Sequence, residues 1–139
     1  MALAPDSTVS RIGSRSSFGE NVPVRILIVD DHDSFRATAR RLLEEDGYEV
    51  VGEAADAAAA FAVAQETGPE AVLLDVQLPD LDGFELTERL IALDPAMKIV
   101  LISSRDVEDF GGYVEASRAR GFVPKAELSG ARLAALLSE

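Results

Sequence analysis

From Arg25 onward the chain alternates two hydrophobic textures. Short, unbroken apolar runs give way to longer stretches in which apolar residues recur every three or four positions. The first texture is that of strands covered on both faces, and the second is that of amphipathic helices. RILIV, at residues 25–29, predicts a strand. Phe35, Ala39, Leu42 and Leu43 then mark a helix that Asp33 or Ser34 is placed to cap and Gly47 to end. YEVVGEA predicts a second strand, and DAAAAFAVAQETG a helix stopped by Gly68–Pro69. AVLLD predicts a third strand, followed by a helix capped by Asp82 with Phe84, Leu86, Leu90 and Ile91 on one side. KIVLIS is a fourth strand. Val107 to Arg120 reads as a weaker helix, because Gly111–Gly112 interrupts it. GFVP is a short fifth strand, and LSGARLAALLS closes the chain as a helix.

Strand followed by helix, five times over, implies a parallel sheet with helices on both faces. Residues 1–22 lack apolar periodicity and read as a disordered tail, leaving residues 23–139 as one domain. In parallel α/β sheets the working site lies beyond the carboxyl ends of the strands. Those ends carry Asp30, Asp31 and His32 after strand one, Asp75 after strand three, Ser103 after strand four and Lys125 after strand five.

Composition narrows the chemistry. Among 139 residues there is no cysteine, so disulfides, thiolate metal sites and cysteine nucleophiles are excluded, and a cytoplasmic setting is expected. His32 is the only histidine, so any histidine-dependent triad would have to be built around it. No apolar run approaches a membrane span. The net charge is −12, and the acids and arginines of residues 1–22 cancel, so the excess lies in the folded body. Such a surface repels nucleic acid and suits cations or basic partners.

Two adjacent carboxylates, Asp30 and Asp31, end an apolar strand, and Asp75 is expected on the same edge. Two unit charges about 4 Å apart repel by roughly 4 kcal/mol at an effective dielectric near 20. Three together call for a cation, and an all-oxygen set suits Mg²⁺. A nearby hydroxyl and ammonium are placed to hold the oxygens of a transferred phosphoryl group, and Asp75 is the natural acceptor. Removal of either Asp30 or Asp31 relieves repulsion, and each single substitution is expected to be tolerated or stabilising without metal. Each side chain alone has a plainer reading: the acid pair as a solvated strand end, Asp82 as a helix cap, Ser103 and Phe122 as structural, and His32 as a loop residue beside the site. Lys125 is one of only two lysines among thirteen basic residues.

ILIVDDH, VLLDVQLPDLDGFEL, IVLISS and GFVPK, in that order, resemble the receiver domains of two-component response regulators. The likeness spans Arg25 to about Ser138, and the D-x-x-L-P-x-x-D-G run from Asp75 to Gly83 is its most specific part. It implies a flavodoxin-like, doubly wound (βα)5 sheet of order 2-1-3-4-5. It implies Asp75 as phosphoacceptor, Asp31 as a direct Mg²⁺ ligand, Asp30 as a ligand acting mostly through water, and the Gln77 carbonyl as a further ligand. Lys125 corresponds to the lysine that pairs with phosphoryl oxygens. Ser103 and Phe122 correspond to the switch hydroxyl and aromatic, and Gln77 and Arg105 to positions that tune dephosphorylation. The implied partners are a sensor histidine kinase or phosphotransfer protein and an unidentified output protein. Departures are Ala126 where the family often has proline, Ser103 for the commoner threonine, and Leu78 for methionine.

Two rivals stand beside this reading. A haloacid-dehalogenase-like phosphatase would use Asp31 of DHDS as nucleophile, but it needs a later acidic motif, and only Glu127 and Glu139 follow Lys125. A receiver-like interaction module that is never phosphorylated would not need every one of these side chains. VDDH and GFVPK resemble the branch usually joined to a LuxR-like helix-turn-helix output domain; a stand-alone receiver is the expectation for this chain. The charge and the lack of clustered Lys/Arg predict no direct DNA binding. In a gel shift at physiological salt, the 139-residue chain is expected to leave duplex DNA unshifted at micromolar protein; sub-micromolar retardation refutes this.

Overall fold

The computed structural model describes residues 22–138. The expected tail, residues 1–22, lies outside the described residues except for Val22. Five strands form one sheet: β1 (Arg25–Val29), β2 (Glu49–Ala54), β3 (Ala71–Asp75), β4 (Lys98–Ser103) and β5 (Gly121–Pro124). All pair in parallel, in the order β2-β1-β3-β4-β5. The helices are α1 (Asp33–Glu45), α2 (Ala57–Thr67), α3 (Gly83–Leu93), α4 (Tyr113–Ala116) and α5 (Gly130–Leu137).

Alternation along the strands divides the core in two. Leu27, Val29, Val72, Leu74, Ile99 and Leu101 face α2 and α3. Ile26, Ile28, Leu73, Val100 and Ile102 face α1 and α5 through Ala39, Leu43, Leu133 and Leu137. β1 and β3 are fully covered at every apolar position from Ile26 to Val29 and from Ala71 to Leu74, as their unbroken apolar runs require. In the β1–β2 pairing the register slips between Ile26, opposite Val50, and Leu27, opposite Gly52, and Gly52 lies beneath α2 so closely that a Cβ there would meet Val63 Cγ1 at 2.7 Å.

Helix boundaries follow local chemistry, with two departures from expectation. Asp56, Asp82 and Ser129 each accept a backbone N–H from the first turn of α2, α3 and α5, at 2.8, 2.8 and 3.0 Å. Gly68 ends α2 in the left-handed region. α1, however, is capped by neither Asp33 nor Ser34. It starts at Asp33 with His32 at the cap position and no side-chain cap. The His32 N–H goes instead to Asp30 Oδ1 at 2.8 Å, so a strand-end carboxylate organises this turn.

The second departure is α4. The expected helix over 107–120 is a 3₁₀ turn, Val107–Phe110, then a single α-turn, Tyr113–Ala116. Gly111 stands between them at φ +58° and ψ −133°, a backbone conformation essentially confined to glycine. Pieces so short close few intrahelical hydrogen bonds, and none of their residues is fully buried. Backbone amides of 107–117 are therefore expected to exchange with solvent well before those of α1 in hydrogen-exchange measurements. Equal protection of the two segments contradicts this.

Candidate functional site

The carboxyl edge of the sheet gathers the expected residues. Asp30, at the end of β1, is completely buried, and Asp75, at the end of β3, is 3% exposed. Lys125 follows β5, and its Nζ stands 2.6 Å from Asp30 Oδ2 and 3.2 Å from Asp75 Oδ2. The same ammonium lies 4.7 Å from the ring centroid of Phe35 on α1, a cation–π distance. Asp31 is exposed at the rim. The Gln77 N–H donates to Asp75 Oδ1 at 3.0 Å, while its side chain lies exposed.

Two carboxylates one strand apart meet one ammonium, and the burial acts unequally. For Asp75, burial is the largest influence and pushes the carboxyl up; the Asp30 charge adds to it, and the Gln77 N–H and Lys125 only partly offset it. For Asp30, burial pushes upward too, but Lys125 and the His32 backbone N–H outweigh it and hold the carboxyl below its ordinary value. Lys125 is lowered by burial, yet the two carboxylates more than restore its charge and its pKa lies above the usual lysine value.

The loop carrying Asp30 and Asp31 is clamped from α1. Arg36 Nη1 donates to the Asp30 carbonyl at 2.6 Å, Nε reaches Glu53 on β2 at 3.1 Å, and Nη2 pairs with Asp33. Arg40 Nε joins Glu53 at 2.6 Å. On the other side, the loop after Asp75 is pinned by Asp80, whose two oxygens accept the N–H groups of Ala57 and Ala58 at 2.8 and 3.0 Å. Gly83 brings α3 against this loop: a Cβ there would lie 2.6 Å from the Asp75 carbonyl oxygen and 2.7 Å from Val76 Cα. Glycine thus permits the close approach that seats the acceptor strand's end.

Ser103 is fully buried at the end of β4, and its Oγ accepts the Arg105 N–H at 3.0 Å. It is paired in register with Pro124, next to Lys125. Phe122, two residues earlier, packs on Phe110 at 5.8 Å between centroids; Phe110 packs on Phe84 at 5.9 Å, and Phe84 on Tyr113 at 5.5 Å. Rings therefore connect β5 to Tyr113, which is 69% exposed. Asp82 is the cap of α3, in keeping with the plainer expectation. The Lys125–Ala126 bond is trans.

His32 departs from expectation. Its Nδ1 lies 3.1 Å from Asp30 Oδ1 and 3.2 Å from Asp31 Oδ1, inside the site rather than beside it. Ligand atoms of Asp30, Asp31, His32 and Asp75 all lie within 4.8 Å of one another. The oxygens suit a hard dication. Asp30 Oδ2 is buried with the Lys125 ammonium 2.6 Å away, and the same ammonium is shared with Asp75 at 3.2 Å, so two buried carboxylates face one positive charge. Arg36 and Asp80 have no place in the sequence reading, which takes Phe35 only as an apolar helix position and Gly83 only as the end of the D-x-x-L-P-x-x-D-G run. The signals were the second acid of β2, Glu53, between Gly52 and Ala54, together with an i, i+4 arginine pair on α1, and a glycine just after a helix cap.

The sequence offered Asp30 and Asp31 as equivalent candidates for relief of repulsion; the geometry separates Asp30 from Asp75 instead. A carboxyl raised in the fold adds stability below its unfolded pKa of 3.8 and loses it as pH rises, so ionised Asp75 costs stability at neutral pH. A lowered carboxyl contributes above 3.8 and fails as pH falls, so ionised Asp30 stabilises. Without Mg²⁺ at pH 7, Asp75→Asn is expected to raise the thermal midpoint and Asp30→Asn to lower it. Calorimetry of both variants checks this; shifts of the same sign refute it.

Comparison with known proteins agrees with this architecture. Residues 26–137 match the response regulator receiver domain. Over 103 residues the chain is 35% identical to the virulence-factor transcription regulator BvgA of Bordetella pertussis, covering 74% of this chain and 49% of that one. It is 34% identical to the response regulator GacA of Pseudomonas viridiflava, covering 73% and 48%. The chain thus spans about half the length of these curated relatives. A crystal structure of a LuxR-family two-component response regulator from Aurantimonas sp. SI85-9A1 superposes with TM-score 0.74 and 37% identity, over 83% of this chain and 86% of that one. The receiver domain of NarL from Mycobacterium tuberculosis gives 0.72 and 30%, over 84% and 98%. With more than three quarters of its length matched and the same five-stranded order, this chain belongs to the response regulator receiver domain family.

Proposed function

We propose that this chain takes a phosphoryl group onto Asp75 from a histidine kinase or phosphotransfer protein, with Mg²⁺ held by Asp30, Asp31, Asp75 and the Gln77 carbonyl. The observation that carries the reading is the convergence of Asp30, Asp75 and Lys125 at one sheet edge, with Lys125 Nζ 2.6 and 3.2 Å from the two carboxylates. When bound, Mg²⁺ supplies positive charge that screens the acidic oxygens from an anionic donor.

An Asp75 carboxylate oxygen attacks phosphorus, the bond from phosphorus to the donor breaks, and the electron pair leaves with the donor imidazole, which takes up a proton. Gln77 N–H orients the carboxylate through Oδ1. Lys125, already at Oδ2, is placed to pair with the transferred oxygens. The Ser103 hydroxyl accepts from Arg105 N–H, which leaves its own proton to donate to the phosphoryl group. That donation draws β4 and its following turn toward Asp75, and Phe122 carries the change through Phe110 toward Tyr113. Gln77 and Arg105, both exposed beside the acceptor, are placed to tune loss of the phosphoryl group. No described helix is long and apolar enough to cross a membrane, and we assign the activity to the cytoplasm, with an output protein as the reader of the switched face.

Acetyl phosphate with Mg²⁺ is expected to label the protein as a hydroxylamine-sensitive acyl phosphate that maps to Asp75 by mass spectrometry. Asp75→Asn abolishes the label, and Asp31→Asn slows labelling by on the order of ten-fold while leaving Asp75 as the site. Full-rate labelling in excess chelator, or phosphate on Asp31 as a phosphatase nucleophile, overturns the proposal.

A further inference from the structure

His32 is the one element of the carboxylate pocket that phosphoryl transfer leaves without a task. Its backbone N–H is held by Asp30 Oδ1 at 2.8 Å, and its carbonyl accepts the Arg36 N–H at 3.1 Å. The residue is fixed on both sides at the start of α1, with φ −97° and ψ 114°. From there the ring aims Nδ1 inward, 3.1 Å from one carboxylate oxygen and 3.2 Å from another, while the side chain as a whole is 65% exposed and open to ions from solvent.

Those two distances match a coordination polyhedron. Ligands at 2.1 Å from one ion, and at right angles to each other, lie about 3.0 Å apart. The Nδ1 hydrogen bridges the carboxylates when no ion is present, and upon ligation the Nδ1 lone pair faces the ion with the ring hydrogen on Nε2. Three carboxylates alone suit Mg²⁺, which gains little from imidazole; a neutral imidazole suits Zn²⁺, Ni²⁺ and Cu²⁺.

We propose that His32 completes a mixed imidazole–carboxylate site with Asp30 and Asp31, through which this chain binds first-row transition dications in competition with Mg²⁺. The inference rests on the dication part of the proposed function and not on phosphorylation itself. It makes the identity of the bound ion, and so access to Asp75, depend on the supply of nitrogen-preferring metals.

The test is binding of each metal alone to the full 139-residue chain, by titration calorimetry with Mg²⁺ and with Ni²⁺, on the parent, His32→Ala and His32→Asn. The expected result is a loss in Ni²⁺ affinity of about ten-fold or more in both variants, with Mg²⁺ affinity changed by less than about two-fold. Pulsed electron paramagnetic resonance of the parent with one equivalent of Cu²⁺ is expected to show coupling to imidazole nitrogen. Because His32 is the only histidine, that signal has one possible source, and it needs no variant. Unchanged Ni²⁺ affinity in the variants, or no imidazole coupling, overturns this inference while normal Mg²⁺ binding leaves the proposed function standing. Failure of the parent to bind Mg²⁺ overturns the cation part of that reading instead.

Discussion

One ammonium holds the working edge of this sheet together. Asp30 and Asp75 end neighbouring strands, and the strand order that buries their apolar runs also drives their carboxylates toward each other. Lys125 is brought there from fifty residues downstream of Asp75, with its ammonium over the Phe35 ring. The rest of the site is arranged around that contact. Backbone donors from His32 and Gln77 take one oxygen of each acid, and Arg36 and Asp80 fix the two loops from opposite sides. One ammonium serves two buried carboxylates, at 2.6 Å from Asp30 and 3.2 Å from Asp75, and Asp75 remains the more costly charge. That residual imbalance is the electrostatic ground on which the proposed dication rests.

The fold was largely legible because its signals are one-dimensional. Unbroken runs such as ILIV and AVLL read as doubly covered strands, and strand ends are where parallel α/β sheets expose side chains. Asp30, Asp75, Ser103 and Lys125 could be placed together without any knowledge of distance. Interactions that depend on which way a turn closes were not legible. Asp33 looked like a cap, but Asp30 captured the turn first, and Asp33 went to Arg36. His32 looked peripheral because nothing in the sequence reveals that its ring folds back over the acids. The unequal charging of Asp30 and Asp75 was hidden for the same reason: the two residues look alike until their donors are known.

The segment after β4 shows a limit of periodicity. Val107, Phe110, Val114 and their neighbours keep enough apolar spacing for a helix, but Gly111 takes a conformation that no helix contains. The chain pivots there, and two short pieces replace one long one. The aromatic contacts from Phe122 to Tyr113 pass through this broken segment rather than through a continuous rod.

The clip formed by Asp80 has a mechanical corollary. With its carboxylate spanning two amides at the start of α2, and Gly83 wedging α3 against the main chain of Asp75 and Val76, the acceptor loop is braced against the face made by α2 and α3. The turn after β4 is held by contacts within its own segment, Arg105 N–H to Ser103 Oγ at 3.0 Å and Asp106 N–H to Asp109 Oδ2 at 3.2 Å, and not by a side chain clamped to another helix start. A pull exerted at Asp75 therefore meets a stiff wall on one side and a compliant one on the other. On the proposed mechanism, a displacement that starts at Asp75 is expected to emerge where Tyr113 stands in solvent.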